Sequence, residues 1–435
     1  VSAKPAPALN VLWRDDSLVG KVVAPGPTEF AYLPDWVAGG HNLSPLKVPF
    51  TPALYRMREQ DFDHLPGFLS DCLPDQWGRR IMNEDFSVAG IKPTPMKMLA
   101  WVGSRAIGAL QFSPALAESE ESATWTPVTG LLLAREAQAI LRNAPPDAFV
   151  HLRRAGTAGG AFPKATVLFL PDGHFLSGGN VANVLNEHAG ARLGLLKLDV
   201  EDDPTRASTD GRMEFAYMQM ARAAGIQTAL CEVHAEPDQT RDRHHLFVQR
   251  FDVQAETGLR IHMVTLAGIL EDHNLNYRHL FTATRDLTGD RTQLMEAIRR
   301  MVFNVRAANG DDHGKNHSFL YEPGTRRWSL SPAYDLTLNY SSERNFSGLF
   351  PNTFGKSPRQ GQLVEVCAEY DVTNSEFSEV DAQVAATIAR WPEFAAAAGL
   401  SPEDTARASA LHAHVSESLQ AAGRSSSPRR TRRRW

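Results

Sequence analysis

Apolar and polar positions divide the chain into a strand-rich first half and a helix-rich second half. Near the start, Asn10-Val-Leu-Trp, Leu18-Val-Gly-Lys-Val-Val and Thr28-Glu-Phe-Ala-Tyr-Leu are short apolar or alternating runs broken by Asp, Gly and Pro, the pattern of strands and turns. A helical stretch is predicted around residues 65–85. Residues 101–112 read as a loop returning into a strand, and the Glu, Ser, Thr and Pro content of residues 114–129 predicts an exposed linker. A second β block is predicted from about residue 149 to 252. It holds a Gly-rich turn at 156–160, strands at 165–170, 195–200 and 245–251, and a helix over 211–224 stopped by Gly225. Leu294, Ile298, Met301, Val302 and Val305 then recur at the spacing of an amphipathic helix, and Ala-rich residues 375–421 predict more helix.

Length changes this picture little: 435 residues are enough for two or three domains with a sizeable core. Charge changes it more. The formal total of −5 conceals an acidic body and a tail, residues 424–435, with six arginines and no acid. A non-specific nucleic-acid binder would usually have a basic body, so that class is disfavoured. Cys72, Cys231 and Cys367 lie far apart with no CxxC pair, which predicts buried free thiols and a reducing, cytoplasmic setting. No secretory leader or membrane span is expected, since no window holds about 18 consecutive apolar residues.

Chemistry concentrates in Asn309-Gly-Asp-Asp-His-Gly-Lys-Asn-His-Ser-Phe-Leu320. Asp311 and Asn316 stand in the D-x-x-x-x-N relation of a phosphotransferase catalytic loop, where Asp accepts a hydroxyl proton and Asn holds magnesium. Two predicted strands, 317–321 and 327–330, then deliver Ser331-Pro-Ala-Tyr-Asp335, whose Asp suits a second magnesium ligand. Upstream, residues 156–164 are Gly-rich enough for backbone N–H groups to approach phosphate, although Lys164 follows Pro163 and no Walker A loop is formed. Lys197 interrupts an apolar strand, and a buried ammonium calls for an anion. Glu214 on the next helix is its candidate partner, and Gln249-Arg-Phe251 is placed to meet adenine through backbone groups.

Each piece alone has a plainer reading: a loop, a snorkelling lysine, a solvated glutamate, a capping aspartate or a turn network. Their order and spacing point to one site. Two rival functions remain open at this level. A metallohydrolase would gather Asp311, Asp312, His313 and His317 around zinc or manganese, and a non-catalytic co-repressor would use the arginine tail. For His244 and His245 the alternation of a strand favours a surface strand over a metal site.

These motifs resemble the HipA family of bacterial serine/threonine kinases, toxins of type II toxin–antitoxin systems, over about residues 11–421. Phe68-Leu-Ser-Asp-Cys-Leu-Pro-Asp-Gln-Trp-Gly-Arg-Arg80 is similar to the family's N-terminal signature, Gly103-Ser-Arg-Ala-Ile-Gly-Ala-Leu follows it, and Gly160-Ala-Phe-Pro-Lys matches the G-A-x-x-K loop. The resemblance implies an α+β, two-lobed protein-kinase-like fold. An added N-terminal β-rich subdomain (9–113) leads through a linker and helix (114–148) to a β-rich N-lobe (149–255). A mainly α-helical C-lobe (256–423) and a basic tail (424–435) complete it. It implies ATP and Mg2+ as cofactors, with Asp311 as proton acceptor, Asn316 and Asp335 on the metal, Lys197 on the phosphates, and Gln249, Arg250 and Phe251 at the adenine. Ala161, Phe162, Pro163, Lys164, Ala165, Thr166, His313, Gly314, Lys315 and Tyr334 would line the same site. Implied partners are a helix-turn-helix antitoxin of the HipB type, DNA through that antitoxin, and a protein substrate with a Ser or Thr hydroxyl, aminoacyl-tRNA synthetases among the family's targets; no membrane is implied. Relatives carry an autophosphorylated serine just before G-A-x-x-K. Here that position is Gly159, so the control passes to Thr157 or is absent. The 73–80 motif itself reads as a packed turn and helix start, with docking of antitoxin or target as its functional alternative.

Overall fold

The computed structural model describes residues 8–24, 28–57, 60–116, 124–155, 160–178, 184–200, 211–239, 241–255, 257–338, 348–355 and 358–421. The expected Gly156–Gly159 loop, with Thr157, and the arginine tail lie outside these residues.

Among the described residues the chain forms three sheets, each accompanied by helices. Strands β1 (Ala8–Trp13), β2 (Leu18–Val23), β3 (Glu29–Tyr32) and β4 (Leu110–Ser113) form an antiparallel sheet in the order β3-β2-β1-β4. Their alternation buries Leu9, Val11, Trp13, Val22, Phe30 and Tyr32 against α1 (Pro34–Gly39), α2 (Gly67–Ser70), α3 (Gln76–Val88) and α4 (Pro95–Val102). The helix expected over 65–85 is thus two helices, because the chain must turn at Leu73-Pro-Asp75, and residues 101–102 end a helix rather than sit in a loop.

The second sheet has six strands in the order β5-β7-β6-β8-β10-β9. These are β5 (Thr126–Val128), β6 (Lys164–Phe169), β7 (Phe175–Ser177), β8 (Arg192–Lys197), β9 (Cys231–Glu236) and β10 (Arg243–Gln249). Helices α5 (Gly130–Leu141), α6 (Val150–Ala155), α7 (Val184–Glu187) and α8 (Arg212–Ala223) accompany it. The expected linker therefore contains an edge strand, β5, held by β7. His245 is also not a surface residue. It is fully buried, and its Nδ1 accepts the Asp199 N–H at 3.0 Å.

The helical lobe begins after β11 (His262–Thr265), which pairs with β12 (Ser318–Glu322) and through it β13 (Arg327–Leu330). Its helices are α9 (Leu266–Leu270), α10 (Tyr277–Thr288), α11 (Arg291–Arg306), α12 (Leu349–Phe354), α13 (Gln360–Ala368), α14 (Asn374–Ile388), α15 (Trp391–Ala397) and α16 (Pro402–Ala421). The predicted stripe forms α11: Asp290 caps it by accepting the Thr292 N–H at 2.8 Å, and Leu294, Ile298, Met301, Val302 and Val305 are all buried. One apolar core runs from Leu9 to Leu419, with a small second cluster at the outer end of the six-stranded sheet. Cys72 and Cys367 are buried thiols and Cys231 is half-buried. Among the described residues, no helix is long and apolar enough to cross a membrane.

Candidate active site

Antiparallel pairing of β6 with β8 sets Lys164 directly opposite Lys197. Like charges facing one another across a ladder repel, so this pair is tolerable only among anions. Glu214, in the first turn of α8, takes Lys197 Nζ on both oxygens at 2.7 Å, and Asp335 takes it on Oδ1. Burial alone would pull the Lys197 ammonium down, but Asp335 and Glu214 outweigh it and hold it well above its ordinary value. Burial would likewise push the Asp335 carboxyl up, yet Lys197 and Lys164 hold it well below the usual carboxylate range. Glu214 is raised, by burial and by its neighbour Asp335. Lys164, only 4% exposed, is lowered by burial and by Lys197. Its ammonium lies against the Cα of Gly160, which has φ +106°: a Cβ there would come within 2.3 Å of Lys164 Nζ. Only glycine suits that backbone and that contact.

The catalytic-loop candidates come from the turn between α11 and β12. Asn316 donates its amide N–H to the Asp311 carbonyl at 2.7 Å, which leaves its amide oxygen as the atom available to a cation. The Asp311 carboxylate is raised by burial and by Asp335, against the pull of His313, whose Nε2 lies 4.0 Å from Asp311 Oδ1. Asp335 has φ +54°, an unusual backbone for a non-glycine residue. Its segment is fixed by the Ala229 N–H on the Ala333 carbonyl at 2.9 Å and the Ala333 N–H on the Gln227 carbonyl at 2.7 Å. Tyr334 donates its hydroxyl to the Lys315 carbonyl at 2.6 Å, so the two metal-candidate segments are tied together. One ionised carboxylate with one amide oxygen is a donor set that suits Mg2+, which takes few protein ligands and completes its shell with phosphate and water.

Asp312 does not join this group. It is 1% exposed, accepts the Tyr277 hydroxyl at 2.5 Å and the Phe350 N–H at 3.1 Å, and is pushed up to about 7 by burial. The Asp311–Asp312–His313–His317 metal centre is therefore not formed. Among the described residues no three His, Cys, Asp or Glu side chains gather to hold a metal. Gly314 is a packing position, where a Cβ would lie 2.7 Å from Leu275 Cδ1. Ala165 and Thr166 are buried in β6, whereas Ala161 and Phe162 are exposed beside Pro163.

At the junction of the lobes the three expected adenine residues divide. The backbone N–H groups of Gln249 and Arg250 already serve the Leu230 and Leu193 carbonyls at 2.8 and 3.0 Å. The Arg250 guanidinium is buried on Asp252 at 2.6 Å, so that side chain is a tie within the fold. Phe251 packs on Tyr334 with ring centroids 5.5 Å apart.

The N-terminal unit reaches this region in ways the motif reading missed. Asp75 accepts the Gly160 N–H at 2.9 Å and Lys315 Nζ at 2.5 Å. Burial would raise its carboxyl, but Lys315 and Gly160 more than reverse that and lower it. Buried Arg260 donates to the carbonyls of Ser104, Ala106, Gly108 and Leu110 at 2.7–3.0 Å, and Asp252 accepts the Gly108 N–H at 2.7 Å. Asp71 accepts the Thr265 N–H and hydroxyl at 2.7 and 3.0 Å, and burial pushes it up to about 6. The separations, 85 to 240 residues, leave no local signal. The available hint was the density of Asp, Arg and Gly in the 68–80 and 103–110 motifs.

A β-rich lobe and a helical lobe meeting at a lysine–glutamate–aspartate cluster define a mixed α+β fold of the protein-kinase type. Two family descriptions match this chain: "HipA N-terminal domain" over residues 9–113 and "HipA-like C-terminal domain" over residues 156–421. The chain belongs to the HipA family. It is 25% identical over 368 residues to a Sinorhizobium fredii protein named "Putative kinase Y4dM", covering 80% of each chain. Its fold matches a chain in the structure of Shewanella oneidensis HipA with HipB and operator DNA, at TM-score 0.64 and 18% identity, covering 95% of this chain and 97% of that one. The Helicobacter pylori kinase CtkA is more remote, at TM-score 0.30 and 12% identity, covering 59% of this chain and 94% of that one.

Proposed function

We propose that this chain is a serine/threonine protein kinase using Mg-ATP, and the toxin partner of a HipB-type DNA-binding antitoxin. The observation that carries the reading is the Lys164–Lys197 opposition, closed by Glu214 and Asp335. Two facing ammonium groups in a cleft make a seat for a polyanion. Family membership, the relative named as a kinase and the HipA–HipB–DNA complex support the same direction.

Lys164 and Lys197 hold the phosphates, and Asn316 with Asp335 would hold Mg2+, which when bound neutralises phosphate charge. Asp311 orients a Ser or Thr hydroxyl and takes its proton. The hydroxyl oxygen bonds to the γ-phosphorus as the bond to the bridging oxygen breaks, and ADP leaves. The barrier is lowered mainly by position and charge. Asp311→Asn should keep ATP binding while transfer falls by about 10²–10⁴-fold, the range for loss of a general base. The assay is γ-labelled ATP with a bacterial lysate as acceptor, phosphosites being read by mass spectrometry. Transfer at the wild-type rate in that variant would remove Asp311 from the role.

A further inference from the structure

Asp75 occupies the N-cap position of α3, where an aspartate ordinarily accepts a hydrogen bond from its own helix. It makes no such bond. Both oxygens leave the helix instead: Oδ2 takes the Gly160 N–H at 2.9 Å and Oδ1 takes Lys315 Nζ at 2.5 Å. Its neighbour Trp77 reinforces the grip, with its N–H on the Gly160 carbonyl at 3.3 Å and its indole N–H on the Lys164 carbonyl at 3.0 Å. One carboxylate from the N-terminal unit therefore spans the turn that seats Lys164 and the loop that carries Asp311 and Asn316.

We propose that Asp75 is a positioning residue for phosphoryl transfer, holding the Lys315 ammonium at a fixed place beside the Gly160 turn. This rests on the kinase reading of the cleft. Without the Asp75 charge, Lys315 is free to settle on the phosphates of bound nucleotide. That contact stabilises the bound ground state more than the transition state, whose charge Lys315 no longer meets from its fixed place, so transfer slows. The N-terminal unit thus supplies a working part of the cleft and is more than a scaffold for docking.

The test uses the full-length chain with Asp75→Asn, Lys315→Met and the double variant. Asn retains an acceptor for the Gly160 N–H but loses the ion pair. The expected result is a fall in kcat of about ten- to a hundredfold, the scale of a small misplacement, with KM for ATP unchanged or lower. In the Lys315→Met background the same change should have no further effect. A second readout needs no transfer: an acyl-phosphate derivative of ATP, which acylates lysines beside the phosphates, should label Lys315 more strongly in Asp75→Asn than in wild type. Raised KM with additive losses in the double variant would make Asp75 merely structural and overturn the proposal. An unchanged kcat and labelling pattern would overturn it too. A wild type that labels no cleft lysine would instead remove the nucleotide reading, and this proposal with it.

Discussion

Replacing Lys197 by methionine should destabilise the protein before any substrate is added. Lys197 Nζ is bonded to Glu214 and Asp335, and the three side chains are 17%, 14% and 32% exposed. Methionine preserves most of the stem but removes the charge between two carboxylates, leaving Lys164 as their neighbouring cation. Breaking a buried ion pair from one side costs about 3–5 kcal/mol, and partial exposure places this site at the lower end, about 3 kcal/mol. At about 2–4 °C per kcal/mol for larger domains, the melting temperature should fall by roughly 6–12 °C. The loss should depend on pH in a defined sense. Glu214 already has a raised folded value, so its protonated form is favoured by folding and stability is lost as pH rises through that value. Removing Lys197 raises it further, so the deficit should be larger at pH 8 than at pH 5. Differential scanning calorimetry of both proteins at the two pH values is the assay. A variant as stable as wild type, or a deficit equal at both pH values, would refute the electrostatic account of the cluster.

Three further outcomes follow from the same geometry. Gly160→Ala places a Cβ 2.3 Å from Lys164 Nζ on a backbone with φ +106°, so ATP affinity by calorimetric titration should drop about tenfold, with strain of about 1–3 kcal/mol; undiminished affinity would separate Lys164 from the phosphates. Arg260→Met strips four carbonyls of their donor and should cost about 3–5 kcal/mol in urea unfolding, with a raised KM for ATP because the same loop holds Asp252 beside Arg250. His262 is buried with Nε2 on the Leu43 carbonyl at 2.9 Å, and burial lowers it to about 4. Its stabilising share, about 3 kcal/mol at most, is present above pH 6.5 and lost as pH falls towards 4. In His262→Gln the stability difference from wild type should therefore shrink over that interval, and a constant difference would count against the assignment.

Much of the cleft was legible because its parts are local. A lysine breaking an apolar strand, a glutamate on the following helix and the Asp311-to-Asn316 spacing are read within short windows, and α11 announces itself by its stripe. The misreadings share a cause in partners distant along the chain. β5 resembles a linker because its three residues gain strand character only from β7, about fifty residues on. His245 looks like a surface residue until Asp199 comes to meet it. Asp75 looks like an ordinary helix start until Gly160 and Lys315 claim its carboxylate. Burial and charge pairing decide these cases, and neither is written in spacing.

The ties between Gly67 and Glu271, Ser104 and Arg260, and Asp75 and Lys315 join residues 204, 156 and 240 positions apart. During synthesis the N-terminal sheet therefore emerges long before the groups that complete it. At about 5–20 residues per second, Lys315 follows Asp75 by roughly 10–50 s. For that interval the cleft has neither Asp311 nor Asp335, and an interrupted chain carries buried-type aspartates with no cation to meet them. A chain interrupted before residue 335 should thus be inactive, since the cleft is complete only once Asp335 has been added to the sheet and loops made long before it.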